Sequence, residues 1–160
     1  GVSHLQTILQ CQKGLFMNDL LIKANSAYPK LSTQFQSIIE NPEQKLAQLC
    51  SVTVCPSQNG RLFIEVFGKT IELSFSMVLS DSQVFYGQVT SVLIQKPDSY
   101  LVAESNIHSI WFDHLGNVKK DLSDGMSMEH IRDAGFLCRF IEQSLVHLLT
   151  SDEFQAAKNG

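Results

Sequence analysis

Residues 51–79, SVTVCPSQNGRLFIEVFGKTIELSFSMVL, decide the fold. Val52 and Val54 alternate with Thr53 and Cys55, and Ile71, Leu73, Phe75, Met77 and Leu79 alternate with Thr70, Glu72, Ser74 and Ser76. A period of two is that of a pleated strand with one face toward a core and the other toward water. Between these runs, Pro56-Ser57-Gln58-Asn59-Gly60 supplies turn chemistry, and Asn-Gly tolerates the positive φ that a tight reversal demands. The stretch therefore predicts a hairpin with Asn59-Gly60 in its reversal, a strand over 61–67, a break at Gly68-Lys69 and a strand over 70–79.

The pattern continues toward the C-terminus. Asp81-Ser82 turns the chain into a long strand over 84–95, in which Gly87 predicts a bulge or a close backbone approach. Lys96-Pro97-Asp98 closes it, two strands follow over 100–104 and 107–112, and a turn at Gly116-Asn117 comes before Val118. Such short connections make antiparallel neighbours, because parallel strands need crossovers of a dozen residues or more.

Both flanks change to the helical period. Leu5, Ile8, Leu9, Leu15, Phe16, Leu20 and Ile22 predict a helix over 4–27, weakened at Gly14 and ended by Tyr28-Pro29. Ser32 is a candidate cap for a second piece carrying Leu31, Phe35, Ile38 and Ile39, and Asn41-Pro42 restarts the helix with Leu46 and Leu49 inward. At the other end, Ile131, Ala134, Cys138, Ile141, Leu145 and Leu148 fall at steps of three and four, with Ser127 as the candidate cap. The expected fold is α+β, a single domain over 1–160: helices over 1–50, an antiparallel sheet of five to six strands over 51–118 and a C-terminal helix over 126–150.

Composition narrows the function classes. A chain of 160 residues can bury a core without staples, and a net charge of −4 with scattered Lys and Arg gives no basic stripe for a nucleic acid. No apolar run approaches membrane-spanning length, and Gln6, Gln10, Gln12 and Lys13 interrupt any signal-like start, so no membrane association is expected. Cys11, Cys50, Cys55 and Cys138 lack zinc or C-x-x-C spacing and read as small buried hydrophobes in a reducing, cytoplasmic setting.

Two clusters invite a chemical reading. His108, Trp111, Asp113 and His114 form the densest group of reactive side chains, but a strand would hold the two histidines about 20 Å apart, beyond the reach of one ion. The plainer reading is a sheet edge with Trp111 inward. Glu129, His130 and Asp133 would share a helical face near Asp121 and Asp124, where a hydrated acidic first turn explains them without a cation. No P-loop, G-x-S-x-G, G-x-G-x-x-G or H-E-x-x-H motif is present, so no catalytic residue, cofactor or metal is assigned.

The expected function is a protein-interaction module of adaptor, immunity or chaperone-like type, without catalysis, its partner another protein or a second copy in a homodimer. The apolar C-terminal helix and the edges of a short sheet support that reading. The alternative is a small-molecule-binding protein or enzyme with a site between sheet and helices, drawing on His108, Trp111, His114 and His130.

Overall fold

The computed structural model describes residues 18–55, 60–95, 103–123 and 128–155. Its elements, in chain order, are helix α1 (Asp19–Ile39), the short α2 (Pro42–Lys45), strands β1 (Val52–Val54), β2 (Leu62–Val66), β3 (Lys69–Leu79), β4 (Phe85–Gln95), β5 (Ala103–Phe112) and β6 (Val118–Lys119), helix α3 (Phe136–Leu149) and the short α4 (Asp152–Gln155). The strands form one six-stranded sheet in the order β1-β2-β3-β4-β5-β6, every neighbouring pair antiparallel. This is the α+β architecture that the alternation predicts.

Register explains which side chains are dry. Ile64 lies between Val54 and Ile71, Ile71 pairs with Leu93, and Val89 lies between Phe75 and Ile110. These residues line one face and join Leu31, Phe35 and Ile38 of α1 and Phe140, Ile141 and Leu148 of α3 in a single core. Helix α1 packs on β3 and β4, α3 packs on β5, and the two helices touch each other. A buried polar link crosses this interface: Ser144 Oγ donates to the Phe140 carbonyl (2.9 Å), which leaves Ser91 Oγ to donate to Ser144 Oγ at 2.7 Å. Both serines are fully buried, and the bond gives each desolvated hydroxyl a close partner across the interface.

The second face is a ladder of polar and aromatic pairs. Arg61 forks onto Glu72, Ser76 donates to Gln88, Thr90 bonds Ser109, and the Lys119 ammonium lies over the Tyr86 ring.

Several expectations are corrected. Pro29 does not end the first helix, because α1 runs through it from an N-cap at Asn18, whose side chain accepts from the Leu20 N–H at 2.7 Å. Proline removes one helical donor, but Asn25, whose carbonyl loses its partner, is solvent-exposed, and burial of Leu31, Phe35 and Ile38 holds the following turns. Ser32 is therefore inside the helix, and Ile22 is exposed. The predicted positions at 4–17 lie outside the described residues. Asn41 does precede α2, yet it sits at φ 50° without a side-chain cap. The Lys45 ammonium instead closes the end of α1, donating to the Ser37 and Ile38 carbonyls at 2.8 and 3.1 Å. A cation bonded to terminal carbonyls is favoured by the helix dipole. Lys45→Met is expected to lower the unfolding free energy by about 1 kcal/mol, read by urea denaturation.

In the sheet, β1 and β2 reverse as expected with Gly60 at φ 69°, while Asn59 lies outside the described residues. Leu79 is exposed at the end of its strand. The two strands expected after residue 99 are one strand with a bulge: Ser91 pairs with His108 and Val92 with Asn106, so Ile107 is the extra residue. The bulge resets the alternation, and Phe112 rather than Trp111 points into the core. The last helix begins at Phe136 after Gly135, ten residues later than expected, because residues 129–131 bond to the sheet edge and turns over 131–135 follow. The Val118 N–H donates to the Glu129 carbonyl and the Ile131 N–H to the Gly116 carbonyl, which bridges His130 to Asn117 at the sheet edge and leaves Ile131 in the turn that follows. Ser127 lies outside the described residues.

Candidate functional site

The four residues singled out in the sequence occupy separate settings. Ser91 and Gln88 are three apart in β4 and so face opposite sides of the sheet; their partners His108 and Trp111 do likewise. His108 stands on the helix side at the rim of α3, its ring 5.1 Å from Phe140 and 5.1 Å from His147, the two imidazoles stacked at 22°. Its Nε2 is buried with no hydrogen-bond partner among the described residues. Burial pushes its pKa below the ordinary imidazole value, and the charges of His147 and Lys120 push the same way against a side-chain hydrogen bond that the ring donates to Gln143. Trp111 lies on the second face between Gln88 and Lys119.

His114 is exposed in the turn after β5, where its backbone carbonyl accepts from Gln34 Nε2 at 3.1 Å. It borders an open cleft of about 420 Å³ lined by Lys23, Lys30 and Val84. His130 has a structural position: Nδ1 accepts from the Arg132 N–H at 3.0 Å, which leaves Nε2–H to donate to the Leu115 carbonyl at 2.6 Å. Both nitrogens of the neutral ring are thereby occupied in pinning the sheet edge.

The acidic cluster is dispersed for the same reason. Asp133 accepts from the His130 N–H, Glu129 pairs with Arg139 at 3.1 Å, and none of the three lies on a helix. Asp121 accepts from the Ser123 N–H and hydroxyl, and the backbone bond first of all holds its carboxyl below the usual value. Asp124 lies outside the described residues. No group of three His, Cys, Asp or Glu among the described residues could hold a metal ion.

The cysteines divide by burial. Cys138 is buried on α3 and Cys55 half-buried, but Cys50, expected in the interior, is exposed. Burial raises the Cys138 thiol pKa, helped by Glu142, and a protonated, shielded thiol is a poor nucleophile. A thiol reagent is expected to label Cys50 in the folded protein and Cys138 only after denaturation, as peptide mapping would record.

A surface feature that the sequence shows only in part, through the apolar C-terminal helix, is apolar. Phe67, Leu145, Val146 and Leu149 line an open groove of about 460 Å³ on the outer side of α3, beside the β2–β3 turn. Phe67 is 46% exposed, Val146 61% and Leu149 43%, values that leave a large share of each side chain open to solvent or a partner. Val66 pairs with Lys69, so Phe67-Gly68 is a two-residue hairpin loop with φ of 52° and 75°. Such loops favour Asn-Gly, and a bulky L-residue at positive φ is strained. The Phe67 ring meets the Phe154 ring edge-on at 6.3 Å. The signal lay in the sequence: a phenylalanine directly before Gly68, where the loop asks for asparagine.

These features define an α+β chain with an antiparallel meander, both long helices on one face and an apolar groove outside the second of them. Comparison with family models, curated proteins and solved structures finds no match for the chain. No described helix is long and apolar enough to cross a membrane.

Proposed function

We propose that this chain is a protein-interaction module of the adaptor, immunity or chaperone-like kind, working without catalysis, and that a second copy of itself is its first partner. The observation that carries the reading is Phe67. A bulky side chain is held at φ 52° with nearly half its surface exposed, next to Val146 and Leu149. Strain retained at a surface position is characteristic of sites selected for contact rather than for stability.

The reading makes a two-sided prediction. Left-handed backbone costs an L-residue about 1–2 kcal/mol, and an edge-on aromatic contact is worth about 0.5–1.5 kcal/mol. Phe67→Asn relieves the first and forfeits the second, so stability is expected to hold or rise by about 0.5–1 kcal/mol while binding weakens. The test is affinity capture from native lysate with three immobilised baits, wild type, Phe67→Asn and Val146→Asp, each first checked for cooperative unfolding. Proteins held by the wild type and released by both folded variants support the reading. Identical captures by all three baits count against it.

A further inference from the structure

We propose that the stacked His108–His147 pair is a proton-operated latch between β5 and α3: neutral rings hold the C-terminal half of the helix on the sheet, and protonation releases it. The inference does not depend on the identity of any binding partner.

The geometry carries it. His108 projects from the bulge in β5 into a slot where one flank is Phe140 and the other His147, both on α3. Its Nε2 is buried and finds no acceptor among the described residues, so an imidazolium there would hold an N–H without a hydrogen bond. The groups that face His108 from the elements around it are His147 and Gln143 on α3 and Lys120 after β6. Lys120 is cationic, His147 becomes so in acid, and Gln143 is neutral. With ring centroids 5.1 Å apart, charging both histidines sets two like charges at close range beside a third. His147 is exposed, whereas His108 is partly buried and a proton on its Nε2 would sit without an acceptor while the ring stays in its slot.

The direction follows from linkage. A histidine whose folded pKa lies below its free value favours the folded state fully above about pH 6.5, and that contribution is lost as pH falls from there toward the folded pKa. The opened helix binds the proton that the closed one rejects, so acid favours opening. Phe136, Leu137, Phe140 and Ile141 anchor the first half of α3, and release of the turns around Ser144 to Leu149 must lift Leu145 and Leu148 from the core and break the Ser91–Ser144 bond.

The experiment is amide hydrogen exchange of the intact protein at about pH 7.5 and about pH 5.0, corrected for intrinsic rates, with NMR titration of the His108 ring. In the wild type, protection over residues 144–149 is expected to fall on the order of tenfold in acid relative to the β3–β4 amides. His147→Gln removes the second charge from an exposed position and should abolish most of that fall while raising the apparent His108 pKa. His108→Phe keeps an aromatic ring against Phe140 and should leave exchange flat with pH. His114→Gln should behave as wild type. An equal fall in wild type and His147→Gln, or a His108 titration unmoved by that substitution, would overturn the latch.

Discussion

Replacing Gly87 by alanine is expected to lower the unfolding free energy by about 3 kcal/mol, and valine by more. On backbone grounds the sign should be the reverse, because glycine in a strand is worse than alanine by about 0.5–1 kcal/mol. Packing decides the matter. Gly87 pairs with Phe112, and the Phe112 ring lies across the glycine toward Phe75, 6.2 Å away. A Cβ at residue 87 would stand 2.3 Å from Cζ and 2.6 Å from Cε1 of that ring. Phe112 is fully buried and has no room to retreat, and overpacking of this kind costs about 1–3 kcal/mol or more. Phe112→Leu, destabilising alone, should lessen the cost of Gly87→Ala when the two are combined. Strict additivity in that cycle, measured by urea denaturation, would show that the ring is not the obstacle.

Gly116→Ala carries the second large effect, about 2–4 kcal/mol. Two causes act together. Gly116 has φ 91°, which an L-residue adopts at a cost of about 1–2 kcal/mol, and a Cβ there would lie 2.6 Å from His130 Cε1 and 2.7 Å from Nε2. The His130 ring must then leave the Leu115 carbonyl, a further loss of about 1 kcal/mol. Gly68→Ala separates the causes, because Gly68 has φ 75° but nothing within 4 Å of the added carbon. Strain alone predicts equal losses at the two glycines, whereas the packing at His130 predicts a distinctly larger loss at Gly116.

The sheet was legible because alternation is local: two residues apart along the chain is one face, whatever lies across the sheet. Gly87 was legible as a close approach for the same reason, although the bulge it equally suggested lies at Ile107 in the neighbouring strand. The errors are those of local rules overruled at long range. Pro29 reads as a helix end, but an exposed carbonyl at Asn25 and burial beyond the proline make the interruption tolerable. Ile131 and Ala134 continue the spacing of α3, yet bonds from Gly116 and Val118 draw the chain before Gly135 into the sheet edge. At the candidate sites, His108 could be named but not its company, since His147 reaches it from a helix thirty-nine positions later along the chain. The apolar groove was half legible. Val146 and Leu149 stand in a helix already read as unusually apolar, but only the hairpin register brings Phe67 beside them.

The proposed contact surface between protein chains consists of Phe67, Val146 and Leu149. Sedimentation equilibrium of the wild type across the micromolar range, run beside Val146→Asp, tests it most directly. Val146 is 61% exposed, so the substitution adds a charge to the groove without disturbing the core. A concentration-dependent dimer is expected in the wild type and a monomer of unchanged Tm in the variant. A wild type that stays monomeric throughout, or a dimer that survives Val146→Asp undiminished, would contradict it.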